Sequence, residues 1–216
     1  MADNEGWTPL HLSCRKGYKD LADLLLTHKA YVNTQNKKGN TPLNLACQDG
    51  HKDVVELLLT HQAEVDKADD EGWTPLQLAC QDGHKDVVEL LLTHQAEVDK
   101  ADNEGWTPLQ LACQNGHKDV AELLLTHQAE VDKADNDDWT PLHLSCSKGY
   151  KDIAELLLTH KANVNYFRHD GRTPLQLACQ NGHKDVVELL LTHQAEVDKA
   201  DNADWTPLHL SCSKGY

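Results

Sequence analysis

Apolar positions along this chain come in two short bursts that return every 33 residues, separated by polar, turn-forming stretches. In the segment 69–101 the first burst is Leu76, Leu78, Ala79 and Cys80, and the second is Val87, Val88, Leu90, Leu91 and Leu92. Each burst has the spacing of one face of a short helix. Thr74 is a good N-cap for the first, because its hydroxyl can accept an orphan backbone N–H. Pro75 suits the first helical position, where its missing N–H costs nothing, and Gly83 stops the helix. His84, Lys85 and Asp86 open a second helix with acid in its first turn, as the helix dipole favours. The polar stretch that follows, Ala96 to Gly105 in the next copy, predicts an exposed loop or hairpin.

The register never slips. Thr8-Pro9, Thr41-Pro42, Thr74-Pro75, Thr107-Pro108, Thr140-Pro141, Thr173-Pro174 and Thr206-Pro207 mark seven copies. Neither helix of a copy is long enough to be stable alone in water. Each copy must bury its apolar side on its neighbours, so the pattern predicts an all-α solenoid of helix-turn-helix units. The units run 3–35, 36–68, 69–101, 102–134, 135–167 and 168–200, with a half unit at 201–216, and form one domain over 1–216.

The motif Gly6-Trp7-Thr8-Pro9-Leu10-His11-Leu12, the recurring Gly-His step and the Leu-Leu-Leu run resemble the ankyrin repeat, and the resemblance covers the whole chain. It implies finger loops of β-hairpin type, a concave first-helix face and a non-catalytic role in binding other proteins. Two departures stand out. Where the family ends its second helix with Gly, this chain has Lys29, Gln62, Gln95, Gln128, Lys161 and Gln194; these are expected to be left-handed or to distort the helix end. Asn44, Gln77, Gln110 and Gln176 replace the family His after Thr-Pro-Leu, where an amide could stand in for the imidazole. Asn33 and Asn165 occupy a place where members of the family can be hydroxylated.

Composition narrows the function. The net charge of −15 argues against nucleic acid, which needs a basic stripe, and against anionic membrane surfaces. No apolar run approaches a membrane span and no signal peptide is evident, so a cytoplasmic protein is expected. Seven cysteines, one per copy from Cys14 to Cys212, are too widely spaced in a stack for disulfides and read as small core residues. The fourteen histidines fall mostly into periodic sets with structural explanations, so no metal is expected, and no cofactor-binding or catalytic motif is present.

Specificity should lie where otherwise identical copies differ. Lys37, Lys38 and Asn40, Asp70 and Glu71, Asn103 and Glu104, Asp137 and Asp138, and His169, Asp170 and Arg172 are the variable positions near the finger tips. Trp73, Trp106 and Trp139 precede the Thr-Pro step and could anchor a partner or pack on the next finger. Phe167, the single phenylalanine, lies in the segment 165–172 that breaks the pattern most. The expected partner is a protein with basic and apolar contact groups. The other reading is a repeat scaffold, natural or engineered, without a dedicated partner. Neither end shows a polar cap, so the chain reads as part of a longer array. Leu208 and Leu210 are expected to lack cover, favouring fraying or end-to-end self-association.

Overall fold

The structure, a computed structural model, describes residues 2–214, so the last two positions of the half unit lie outside it. The chain divides into two compact bodies, Met1–Asn103 and Glu104–Tyr216. The first holds α1 (Pro9–Arg15), α2 (Lys19–Thr27), α3 (Pro42–Gln48), α4 (Lys52–Thr60), α5 (Pro75–Gln81) and α6 (Lys85–Thr93). The second holds α7 (Pro108–Asn115), α8 (Lys118–Thr126), α9 (Pro141–Lys148), α10 (Lys151–Thr159), α11 (Pro174–Gln180), α12 (Lys184–Thr192) and α13 (Pro207–Lys214). No strand occurs among the described residues.

Each first helix starts as its sequence dictates. At α5 the Gln77 N–H donates to Thr74 Oγ1 (3.2 Å) while the Thr74 N–H donates to Gln77 Oε1 (2.9 Å), a reciprocal cap closed by an amide. The amides therefore do replace the family imidazole, and they reach further. Gln110 Nε2 donates to the Trp139 carbonyl one repeat on at 2.6 Å, and Asn44 Nδ2 to the Trp73 carbonyl at 3.3 Å. His11 and His143 make the same bridge through Nε2, to the Asn40 and Arg172 carbonyls. One side chain thus caps its own helix and holds the next finger.

Each second helix ends on a left-handed residue, as expected. Lys29, Gln62, Gln95, Gln128, Lys161 and Gln194 have φ between 63° and 67°. Just before them His28, His61, His94, His127, His160 and His193 bring Nδ1 to the carbonyl four residues back. A carbonyl only accepts, so Nδ1 carries the proton and the ring caps the helix. Asn33 and Asn165 are engaged as well. Their Oδ1 atoms accept from the Glu64 and Glu196 N–H groups, and their amides donate to the Gln62 and Gln194 carbonyls.

Within each body the core is a ladder of repeated positions. Leu43, Leu58, Leu76 and Leu91 are sealed in the first, and Leu109, Leu124, Leu142, Leu157, Leu175 and Leu190 in the second. First helices pack closely on first helices, and second helices touch one another less. Leu208 is 71% exposed, as its lack of cover predicts, but Leu210 is buried because α13 lies against α11; the expectation that both stand uncovered is corrected.

Candidate binding surface

The finger tips are tight turns. In the third repeat Asp69 Oδ1 accepts from the Glu71 and Trp73 N–H groups, and the Asp69 N–H donates to the Trp73 carbonyl. Asp3, Asn36, Asp135 and Asp201 brace their fingers with the same side-chain bonds. Burial raises the carboxyl pKa of Asp69 and Asp135, while the N–H bonds pull the other way. Adjacent fingers are tied by single backbone bonds, Asp70 N–H to Lys38 O and Asn103 N–H to Glu71 O in the first body, Asn136 N–H to Glu104 O and Asn202 N–H to Asp170 O in the second. This is hairpin-like geometry without a ladder.

Clefts open between fingers, and one in each body is lined by candidate residues. In the first body, a cleft of about 540 Å³ is lined by Trp73, Asp69, Asp70 and Glu71 of one finger, by Lys37, Lys38 and Asn40 of the preceding one, and by Gln48, Leu78 and Gln81. Trp73 is half-buried; Asp70 and Glu71 are exposed. Asn103 lies beside the same finger but is used structurally, donating from Nδ2 to the Asp70 carbonyl.

In the second body, a cleft of about 520 Å³ is lined by Asp138, Asn163, Asn165, Tyr166, Phe167, Arg168, His169, Gly171 and Asn202. The pattern-breaking segment therefore builds it. Phe167 is 59% exposed, with the Lys199 ammonium 4.4 Å from its ring centroid. His169 is fully outside, its Nδ1 3.6 Å from Asp138 Oδ2. Tyr166 meets the His143 ring edge-on at 6.0 Å. Arg172 turns inward instead, with Nε 3.5 Å from the buried Asp201 carboxylate and Nη1 donating to Gln180 Oε1. Trp106 and Trp139 are half-buried in this body, with Glu104 and Asp137 exposed nearby in sequence.

Arg168 is the residue that sequence reasoning did not single out. It stands where the other repeats place the bracing Asp or Asn. Its backbone still closes the turn, N–H to the Arg172 carbonyl at 2.9 Å, and Asp170 takes over part of the brace by accepting from the Arg172 N–H. The freed guanidinium lies 4.0 Å above the Trp139 ring, with Nη1 3.4 Å from Asp170 Oδ2. The signal was a cation at a position otherwise held by Asp or Asn.

The described residues contain no cluster of His, Cys, Asp and Glu arranged to hold a metal ion. None of their helices is long and apolar enough to cross a membrane.

These features define a class: stacked helix-turn-helix repeats whose identical frame carries variable finger tips. The model for three consecutive ankyrin repeats matches residues 28–102, 63–135, 92–168 and 163–216, and the single-repeat model matches 5–37. The chain belongs to the ankyrin repeat family. Among solved structures it is similar to the human ASB11 ankyrin repeat domain, at 26% identity and a TM-score of 0.89, covering 95% of this chain and 92% of that one. It is also similar to the ankyrin repeat domain of Bcl-3, a member of the IkappaB protein family, at 27% identity and a TM-score of 0.84, covering 96% and 95%. No curated protein matches the sequence.

Proposed function

We propose that this chain is a non-catalytic, cytoplasmic protein-interaction module that binds through its finger tips and the clefts between them. The observation that carries the reading is the concentration of sequence change. Repeats 69–101 and 102–134 differ at only three positions, whereas 165–172 alters charge, aromaticity and turn bracing together and lines one cleft. Core stability asks for none of these changes, since Phe167 and His169 are exposed. Six buried free thiols suit a reducing compartment. The chain's negative charge steers a basic partner, with aromatic side chains supplying burial.

The other reading, a scaffold without a dedicated partner, is favoured by the near-identity of the repeats 69–101 and 102–134. Quantitative affinity capture from a cell lysate separates the two. The wild-type chain is compared with the triple variant Trp73→Ala, Trp106→Ala, Trp139→Ala and with Phe167→Ala/His169→Ala. A binding module retains a protein that at least one variant loses. Equal, non-specific recovery by all three leaves the scaffold reading.

A further inference from the structure

We propose that the Trp73 cleft is an acceptor for an arginine side chain presented by a partner protein. This deepens the protein-binding reading above and rests on it. The observation is internal to the chain, because equivalent tryptophans show what their open face takes. Trp7 carries the Arg15 guanidinium 5.4 Å from its centroid, and Trp139 carries that of Arg168 at 4.0 Å. The two arginines arrive by different routes, Arg15 from the end of the helix that follows the tryptophan and Arg168 from the next finger. In each case a carboxylate lies at the guanidinium edge, Asp49 at 4.0 Å from Arg15 and Asp170 at 3.4 Å from Arg168.

Around Trp73 neither route delivers a cation. The place of Arg15 is held by Gln81 and that of Arg168 by Asp102. Among the described residues, no aromatic ring or cation covers the Trp73 indole. It lines an open cleft, and on the same finger the exposed Asp70 and Glu71 carboxylates have no ion-pair partner among the described residues. The uncovered indole is thus present with carboxylates lining the same cleft, supplied from its own finger rather than from the next repeat as Asp49 and Asp170 are, and the guanidinium is missing.

Arginine fits better than lysine. Its planar group stacks on an indole while its edge bonds a carboxylate, whereas a lysine ammonium is a compact, strongly hydrated point charge. Lys37 and Lys38 line the same cleft, with Lys37 paired to Glu5 at 3.7 Å. They offset much of the acidic charge, so selection rests on stacking geometry more than on bulk attraction.

The test follows the five tryptophan indole N–H resonances of the ¹⁵N-labelled chain by NMR. The probe is the peptide acetyl-Gly-Arg-Gly-amide, with its lysine and citrulline counterparts. The arginine peptide is expected to shift the Trp73 resonance saturably, with affinity roughly two- to fivefold above the citrulline peptide, the factor an exposed cation–π contact supplies. Gln81→Arg, which places a guanidinium where Arg15 stands over Trp7, should abolish that response. Arg168→Ala should make the Trp139 resonance respond in turn. A silent Trp73, or equal response to arginine and citrulline, overturns the proposal. So does a captured partner whose retention needs Asp70 and Glu71 but survives Gln81→Arg; that result leaves the protein-binding reading standing.

Discussion

The imidazole of His84 occupies the space that a side chain on Gly50 would fill. A Cβ built on Gly50 falls 2.5 Å from His84 Nδ1, and His84 Nε2 donates to the Gln48 carbonyl at 2.9 Å. The carbonyl at the end of α3 has no partner in its own helix, so the next repeat supplies one. His51 and His183 do the same over Gly17 and Gly149, while Tyr150 covers Gly116. The recurring glycine and histidine form a joint between neighbouring repeats.

That joint predicts coupling. Gly50 has φ +72°, so Gly50→Ala carries left-handed strain of about 1–2 kcal/mol together with a clash against His84. Urea denaturation should show a loss of roughly 2–3 kcal/mol in total. The double variant Gly50→Ala/His84→Ala should lose less than the sum of the two singles, since the clash is shared. Strict additivity would show that the two residues do not meet.

The left-handed helix ends are sites of removable strain. Gln95 is exposed with φ 64°. Gln95→Gly should raise stability by about 0.5–1 kcal/mol, the strain relieved less the extra freedom glycine has when unfolded. Thermal or urea unfolding that shows no gain would remove strain as an explanation of this departure from the family pattern.

His143 makes stability depend on pH. Burial lowers its pKa from 6.5 to about 4. Its Nδ1 accepts from the Thr140 N–H, so protonation would also break a bond. The folded pKa lies below the unfolded one. The contribution of His143 to stability is therefore full above about pH 6.5, falls as pH drops to about 4, and is flat below, a loss of up to roughly 3 kcal/mol. His143→Gln places there the amide that caps α5, α7 and α11. The variant should lack this part of the pH dependence; identical pH profiles would contradict it.

Thiol reactivity should separate the cysteines. Burial pushes the Cys14 thiol up to about 12 and raises those of Cys47, Cys80, Cys113 and Cys146 as well. Cys212 is exposed. Alkylation at pH 8 followed by mass spectrometry should label Cys212 first and the buried thiols only on adding denaturant. Prompt labelling of Cys80 in the native protein would contradict the packing described.

The frame was legible in the sequence because each of its signals is local and repeated. Thr74, Pro75 and Gly83 fix one helix, and the left-handed Gln62 and Gln95 follow from a missing glycine. Contacts between repeats were legible only where a residue type has one plausible use. The reach of Gln110 to the Trp139 carbonyl spans 29 positions, which periodicity within one repeat does not reveal. Among the candidate site residues, Asp70, Glu71, Phe167 and His169 are exposed. Asn103 and Arg172 are spent on holding their fingers. Trp139 differs from Trp73 because of Arg168, so the environment of each tryptophan depends on a residue distant in sequence.

The claim that the fingers bind protein is tested most directly by site-specific photo-cross-linking in cell lysate. One photoreactive residue replaces Phe167 in the second cleft, and another, in a separate protein, replaces the exposed Glu155 on α10. The account predicts a discrete cross-linked partner from position 167 and none from position 155. A partner captured from 155 alone, or no discrete product from either, would contradict it.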